Sequence, residues 1–172
     1  MGEILLLTAA GLLLYAAYTQ LQTGFDFLPG DAMNGNQPQP VPDAKVQLLE
    51  QAIEFAEGFG KAGAIPTLAN NPGDLELGDV GLGVLGEGIT IYPDVAIGRA
   101  KLTKIVRGWL AGVSSSYSLD DSFLTVAQEY VGGKRTPTVQ AGNWALNVVT
   151  YLNTNAGVFL TTSNTLRDWV NA

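Results

Sequence analysis

The chain has 172 residues, 47% of them hydrophobic, which is enough for one domain with a hydrophobic core and an appendage. Cysteine and histidine are both absent, so disulfides, thiolate nucleophiles and Ser-His-Asp catalysis are excluded, and the usual zinc ligands are missing. We therefore expect no metal and no cofactor, and any acid–base chemistry must come mainly from carboxyl groups.

The net charge of −7 is unevenly distributed along the chain. Residues 1–98 carry 12 acidic and 2 basic side chains, a net charge of −10, whereas residues 99–172 carry 4 acidic and 7 basic ones, a net charge of +3. Binding to phosphate backbones requires clustered Lys and Arg. The composition therefore argues against a nucleic-acid partner and leaves a neutral or mixed-charge polymer open.

An uncharged, apolar run opens the chain. No charged residue lies between Glu3 and Asp26, and Ile4–Tyr18 is almost wholly apolar. With the residues that follow, this run is long enough to cross a bilayer core of ~30 Å as a helix. We predict a transmembrane anchor over residues 1–23. A buried core helix is one alternative, and a cleaved signal peptide, which would want a basic N-terminal region, is the other.

A proline-rich linker follows over residues 24–43. Pro38, Pro40 and Pro42 alternate with other residues, which favours an extended polyproline II conformation at ~3.1 Å per residue. We predict that this segment is a semi-rigid spacer that holds the following domain, residues 44–172, away from a membrane surface.

The first half of this domain alternates regular and irregular chain. A helix is predicted from Asp43, as its N-cap, to about Glu57, where glycines end it. Residues 58–88 are rich in glycine and predict irregular structure. Residues 88–94 predict a short strand that ends at Pro93.

The second half is predicted to be helical. Asp94 is the expected N-cap of one helix, Ser118–Asp121 resembles a capping box before the next, and Pro137 suits the first turn of a third. The expected helices run to about residues 109, 131 and 152, and a last short helix covers about residues 162–170. The sequence thus predicts a mainly helical α+β domain with one small β element.

Three acids lie on the first predicted helix. Its apolar stripe, at 100° per residue, consists of Val46, Leu49, Ile53 and Ala56. Glu57 lies one turn after Ile53 at the edge of this stripe, whereas Glu50 and Glu54 lie farther round. Burial against apolar groups raises the pKa of a carboxyl group, as a general acid at neutral pH requires. Glu57 is therefore the acid best placed for partial desolvation, although the helix geometry alone favours the alternative that all three acids solvate the helix.

Two asparagines precede a Pro-Gly turn at residues 70–73. The amides of Asn70 and Asn71 are predicted to point into a groove, where they could bind the N-acetyl groups of a sugar; a simple surface turn is the alternative. Tyr92 and Tyr117 each lie beside a turn and are further groove candidates. The three tryptophans are expected in the core: Trp109, Trp144 and Trp169.

Four basic residues recur on the helix after Asp94. They are predicted to lie opposite its apolar stripe of Leu102, Ile105, Val106 and Trp109. A solvated helix face is the favoured interpretation, and a contact with an anionic cell-wall polymer or lipid is the alternative. The four residues are Arg99, Lys101, Lys104 and Arg107.

In combination these motifs suggest a family. The chain contains Glu57–Phe59 (EGF), Asn70–Leu75 (NNPGDL), Tyr92–Gly98 (YPDVAIG), then Tyr117 and the pair Asn143–Trp144. It resembles phage and prophage virion proteins with an E-G-F, N-N-P-G-N/D and F-P-x-x-x-x-G pattern, which are related to lytic transglycosylases and goose-type lysozymes. The resemblance covers about residues 44–152.

This resemblance implies a lysozyme-like fold and a peptidoglycan-cleaving activity with Glu57 as the single catalytic glutamate. In that class one carboxyl group protonates the glycosidic oxygen next to N-acetylmuramic acid, then acts as base while the 6-hydroxyl closes a 1,6-anhydro ring. Asn70, Asn71, Tyr92 and Tyr117 are the expected substrate-binding residues. For a hydrolase instead, candidates for the base that activates water are Asp74, Glu76 and Asp79.

The same resemblance implies the location and partners. We expect peptidoglycan, a lipid membrane and other virion proteins as partners, and a place in a phage particle with an internal membrane or in a bacterial envelope. A non-catalytic virion structural protein with the same fold is the main alternative. A cellular envelope protein without a phage connection is another.

Overall fold

A computed structural model describes residues 41–76, 81–86, 88–132 and 138–172. These residues belong to one compact unit. Among them, no helix has both the length and the apolar character needed to span a bilayer. The predicted anchor, residues 1–23, and nearly all of the predicted linker lie outside the described residues.

The described chain is mainly helical and has one two-stranded sheet. The two strands of this sheet are antiparallel, with Val84 opposite Thr90. The predicted α+β, mainly helical class is confirmed at this level. In chain order the elements are α1 (Asp43–Glu57), α2 (Ile65–Leu68), β1 (Gly83–Leu85), β2 (Ile89–Ile91), α3 (Val95–Leu110), α4 (Phe123–Gly132), α5 (Val139–Ala156) and α6 (Leu166–Asn171).

Helix α1 has the predicted bounds but a different N-cap. Pro42 occupies the N-cap, and Asp43 lies in the first turn, where its negative charge interacts favourably with the helix dipole. At the other end Gly58 adopts a left-handed conformation with φ 73°. The Gly58 N–H donates to Phe55 O and the Phe59 N–H to Glu54 O, which is a Schellman motif. This turn fixes the direction in which the chain leaves Glu57.

The glycine-rich stretch 58–88 contains more regular structure than predicted. It includes α2, a single turn with Pro66 near its start, and β1, whose exposed residues carry no alternating pattern. Both elements are shorter than the window over which hydrophobic periodicity can be recognised. Irregular chain throughout this stretch was therefore a wrong prediction.

The later helices are present, with shifted ends. Helix α4 is capped by Ser122, whose Oγ accepts the Thr125 N–H, while the predicted box at Ser118–Asp121 forms a separate turn just before it. Helix α5 continues to Ala156, beyond the predicted end at 152, and its predicted first-turn Pro137 lies outside the described residues. Helix α6 begins at Leu166, later than predicted.

The core lies where α5 packs against α1 and α4, and α1 packs against α3. The predicted stripe of α1 is buried at Val46, Leu49 and Ile53. Helix α3 buries Leu102 and Val106, while Ile105 is partly exposed. All three tryptophans are in this core, as predicted. Each large apolar side chain buried here contributes roughly 1.5–3 kcal/mol, so the packing fixes the end of α1 firmly.

Candidate functional site

Glu57 is the last residue of α1, and its carboxyl group faces the interior. Trp144 of α5 donates its Nε1–H to Glu57 Oε1 at 2.6 Å. Burial raises the pKa of Glu57 to about 7; the Trp144 hydrogen bond opposes this rise, and the negative charge of Asp74 adds to it. Near neutral pH the carboxyl group is therefore divided between its protonated and ionised forms, as general acid–base catalysis requires.

Asp74 brings a second carboxylate close enough to act on Glu57 electrostatically. Its backbone has φ 51°, in the left-handed region that Asp adopts more readily than most residues. The turn holds it on both sides, since the Tyr130 hydroxyl donates to Gly73 O and Asn71 Oδ1 accepts the Leu75 N–H. Of the other candidate bases, Glu76 is exposed and Asp79 lies outside the described residues.

A row of aromatic rings leads away from Glu57. Trp144 packs against Tyr130 with ring centroids 5.0 Å apart, Tyr130 meets Trp109 edge-on at 5.7 Å, and Trp109 contacts Tyr117 at 4.6 Å. Burial, followed by the charge of Glu57, raises the pKa of the Tyr130 hydroxyl well above 10. That hydroxyl stays protonated and remains a hydrogen-bond donor at neutral pH.

Asn71 has a different place from the one predicted. Its side chain is fully buried. Nδ2 donates to Leu75 O at 2.8 Å and to Thr90 O at 2.9 Å, and Oδ1 accepts from the Leu75 N–H at 2.9 Å. Both donor hydrogens are used, so the amide connects the turn to β2 and is not presented to a groove. We correct its role from sugar contact to support of the turn.

Asn70 and Tyr92 also pack into the scaffold. Asn70 adopts φ 52° and its Nδ2 donates to Tyr92 O at 3.1 Å. The Tyr92 side chain is 0% exposed, so the prediction that it lines the groove is wrong. A tyrosine beside a turn tends to be at the surface, but here the Tyr92 N–H donates to Ala69 O and draws the residue under the Asn-Pro-Gly turn.

Glycines in the motifs allow close backbone contacts around this turn. A Cβ on Gly98 would lie 2.1 Å from Asn70 O and 2.9 Å from the Cδ of Pro72. A Cβ on Gly73 would lie 2.8 Å from Cδ1 of Leu102. The first turn of α3 therefore packs directly on the Asn-Pro-Gly turn, and position 98 has no room for a larger residue.

Tyr117 is half-buried and lines two clefts, and its role as a substrate-binding residue stays a prediction. One cleft, of about 410 Å³, extends from Gly112 to Leu119 and includes Arg167. The other, of about 560 Å³, lies between α3 and the serine-rich loop and is lined by Leu75, Trp109 and Tyr130 among others. Glu57 lines neither cleft, but Tyr130 connects the second one to Trp144 and hence to Glu57.

The four basic residues of α3 divide into two pairs. Arg99 forms a bidentate ion pair with Glu54 at 2.8 and 3.0 Å, and Arg107 pairs with Asp43 at 2.8 Å. These arginines therefore join α3 to α1. The two lysines line the larger cleft: Lys101 and Lys104. Arg99, Lys104 and Arg107 are exposed, as the prediction of a solvated face requires, and Lys101 is half-buried.

Sequence reasoning missed two residues of this site. Trp144 was expected only as a core residue, although its place in the motif set was a signal that it belongs near Glu57. Tyr130 carried no signal in the sequence, because a tyrosine inside an amphipathic helix is typical of any core. Among the described residues, no three acidic side chains cluster in a way that could hold a metal ion.

Comparison with known proteins adds no assignment. No protein-family model, no curated protein and no solved structure matches this chain.

Proposed function

We propose that this protein is a peptidoglycan lytic transglycosylase with Glu57 as its catalytic residue. One observation carries the proposal: a partly buried carboxyl group at the end of α1, hydrogen-bonded to the neutral indole of Trp144, with a pKa of about 7. A carboxyl group that serves only as a surface charge would keep its ordinary pKa near 4.5. The motif resemblance supplies the substrate class.

The reaction needs one group that first gives and then takes a proton. Protonated Glu57 donates to the glycosidic oxygen, the bond from that oxygen to C1 of N-acetylmuramic acid breaks, and positive charge develops on the sugar ring. The Glu57 carboxylate then removes the proton of the 6-hydroxyl as O6 bonds to C1. The Trp144 N–H stabilises the ionised form between the two steps.

Hydrolysis is a second candidate, favoured by the position of Asp74. Glycoside hydrolases use two carboxyl groups, one as acid and one as base or nucleophile. The charge of Asp74 acts on Glu57, so a water molecule beside Asp74 could replace the 6-hydroxyl as the attacking group. Mass spectrometry of the products separates the two reactions, because anhydro ends are lighter by one water than hydrolysed ends.

A non-catalytic virion protein is the candidate from another class. This candidate is favoured because two motif residues have structural roles. Asn71 holds the turn, and Gly98 allows α3 to pack against it. A protein could keep both for the sake of its fold after losing its activity. Substitution of Glu57 distinguishes the enzyme from the structural protein, since a structural protein does not depend on that carboxyl group.

The test is Glu57→Gln in the full-length chain. Gln keeps the shape and the acceptor for Trp144 but has no transferable proton. We expect a loss of ~10²–10⁴-fold in the release of soluble fragments from purified cell walls, with an unchanged circular dichroism spectrum. Glu54→Gln, three residues earlier, is the matched control and should keep its activity. Equal activity of Glu57→Gln and parent would overturn the mechanism, and an inactive parent would favour the structural protein.

We also propose that the protein is anchored in a membrane, in a virion or a bacterial envelope. The support is the uncharged run Ile4–Tyr18. Full-length protein should partition into detergent or membranes, and a chain shortened to start at Pro40 should remain in the aqueous phase. Partition is measured by phase separation and sedimentation. A full-length chain that stays monomeric without detergent would contradict the anchor.

A further inference from the structure

The larger cleft has a wall made by one face of α3. Lys101, Lys104, Ile105 and Gly108 line it, with the i, i+3, i+4, i+7 spacing that places residues on the same side of a helix. The opposite wall is the loop Ser114–Tyr117. Between them lie aromatic rings and serine hydroxyls, the groups that pack on sugar faces and bond their substituents.

This cleft is connected to the proposed catalytic residue through two aromatic side chains. Tyr130 lines it and packs against Trp144, whose indole holds Glu57. Leu75 also lines it and directly follows Asp74 in the chain. Two aromatic side chains, Tyr130 and Trp144, therefore separate the cleft from Glu57.

The larger cleft carries positive charge, whereas the site of Glu57 and Asp74 carries negative charge. Lys101 and Lys104 both line the cleft, and Arg99 and Arg107 of the same helix are paired with acids of α1. None of the described residues that line it is acidic. An anionic substituent is thus repelled at one end of the site and attracted at the other.

We propose that this cleft binds a carboxylate-bearing part of the peptidoglycan strand, with Lys101 and Lys104 pairing the carboxylate and the Trp109, Tyr117 and Tyr130 rings lining the space for the sugar or peptide. The inference rests on the proposed function, because it concerns the substrate of the same site. The carboxylate has two sources: the lactyl group of a muramic acid without its peptide, or the peptide attached to that group.

The charge test uses full-length Glu57→Gln protein in detergent, so that binding is measured without cleavage. The three probes are a chitin tetramer, a peptide-free peptidoglycan tetrasaccharide and the same tetrasaccharide carrying its peptides. We expect Lys101→Gln with Lys104→Gln to weaken binding of carboxylate probes roughly threefold to tenfold, the range for two exposed ion pairs, and to leave the chitin tetramer unaffected. The probe that loses more identifies the source of the carboxylate.

A matched control removes a charge of the same helix that pairs with Asp43 of α1 and does not line the cleft. Arg107→Gln should bind all three probes like the parent, and Lys104→Gln should not. If both single variants lose the same affinity, or if the lysine double variant binds carboxylate probes as well as the parent does, the cleft is not the binding site. In that case the cell-wall assay on the Glu57 variants still stands, so the two proposals fail separately.

Steric blocking gives a second test that does not depend on charge. A Cβ on Gly108 meets no atom within 4 Å, so Gly108→Leu should fold and extend into the cleft. Gly142, a glycine of α5 with the same open surroundings, lines neither cleft and provides the control Gly142→Leu. We expect at least tenfold weaker binding of the carboxylate probes for Gly108→Leu only. Parent-like binding by Gly108→Leu with an unchanged melting temperature would overturn the proposal.

Discussion

The end of α1 and the turn at residues 70–75 both come from the motifs that suggested a glycan-cleaving site, yet they are built differently. At the end of α1, Glu57 is partly buried with one neutral hydrogen-bond donor, and its pKa rises to about 7. In the turn, the Asn71 amide uses both hydrogens and its oxygen on backbone groups. A polar side chain whose hydrogen bonds are all made to the backbone supports the fold. A carboxyl group whose ionised form is disfavoured by burial has a shifted pKa and is available for chemistry.

The largest effect on stability is expected in the turn. Asn71→Ala removes three hydrogen bonds and leaves buried backbone groups without them, so the free energy of unfolding should fall by roughly 2–5 kcal/mol. Urea unfolding measures this. Asn70→Gly, which removes one side-chain bond and keeps the left-handed backbone accessible, should cost less than about 1 kcal/mol. If Asn71→Ala were stable and merely bound glycan less well, the turn would belong to the binding surface after all.

The next effect distinguishes Glu57 by its response to pH. Its folded pKa, about 7, lies above the ordinary value of 4.5, so ionisation costs stability as pH rises between these two values. Glu57→Gln has no such cost. The variant should therefore be more stable than the parent by roughly 2–3 kcal/mol at pH 8 and about equally stable at pH 4. Parallel stability curves for the two proteins from pH 4 to 8 would mean that the carboxyl group is not desolvated.

The smallest effect concerns the indole. The Trp144 hydrogen bond lowers the pKa of Glu57, so Trp144→Phe should raise it further, by about one unit. The loss of wall-degrading activity at alkaline pH should then begin about one unit higher, because the acid stays protonated longer. Trp109 is also buried but does not bond to Glu57, so Trp109→Phe should leave the pH at which activity is lost unchanged. A shift shared by both variants would indicate a general loosening of the core.

Much of the fold could be predicted because it depends on local signals. The apolar stripe of α1, the Asp94 cap of α3 and the core positions of the tryptophans follow from periodicity and capping residues. Helix α2 and strand β1 could not be predicted, since elements of three or four residues are stabilised by their neighbours and not by their own pattern.

The site could be predicted only in part. The position of Glu57 at the edge of the core could be predicted because the edge of an apolar stripe is a local property, whereas its catalytic role stays a prediction. The roles of Asn71 and Tyr92 were wrong because burial of a turn depends on what packs over it, here the start of α3 at Gly98. Tyr130 joins the site from more than fifty residues away in the chain. Such a meeting is decided by tertiary packing alone.

The bond between Trp144 and Glu57 also gives the protein a built-in optical reporter. The chain has no histidine or cysteine, so apart from the N-terminal amine no other side-chain class ordinarily titrates between pH 6 and 8. A change in proton occupancy at Glu57 alters the electrostatic field at the indole that donates to it. The emission colour of one tryptophan can thus follow the loading of one proton, and ligand entry that changes this loading becomes visible without any added dye.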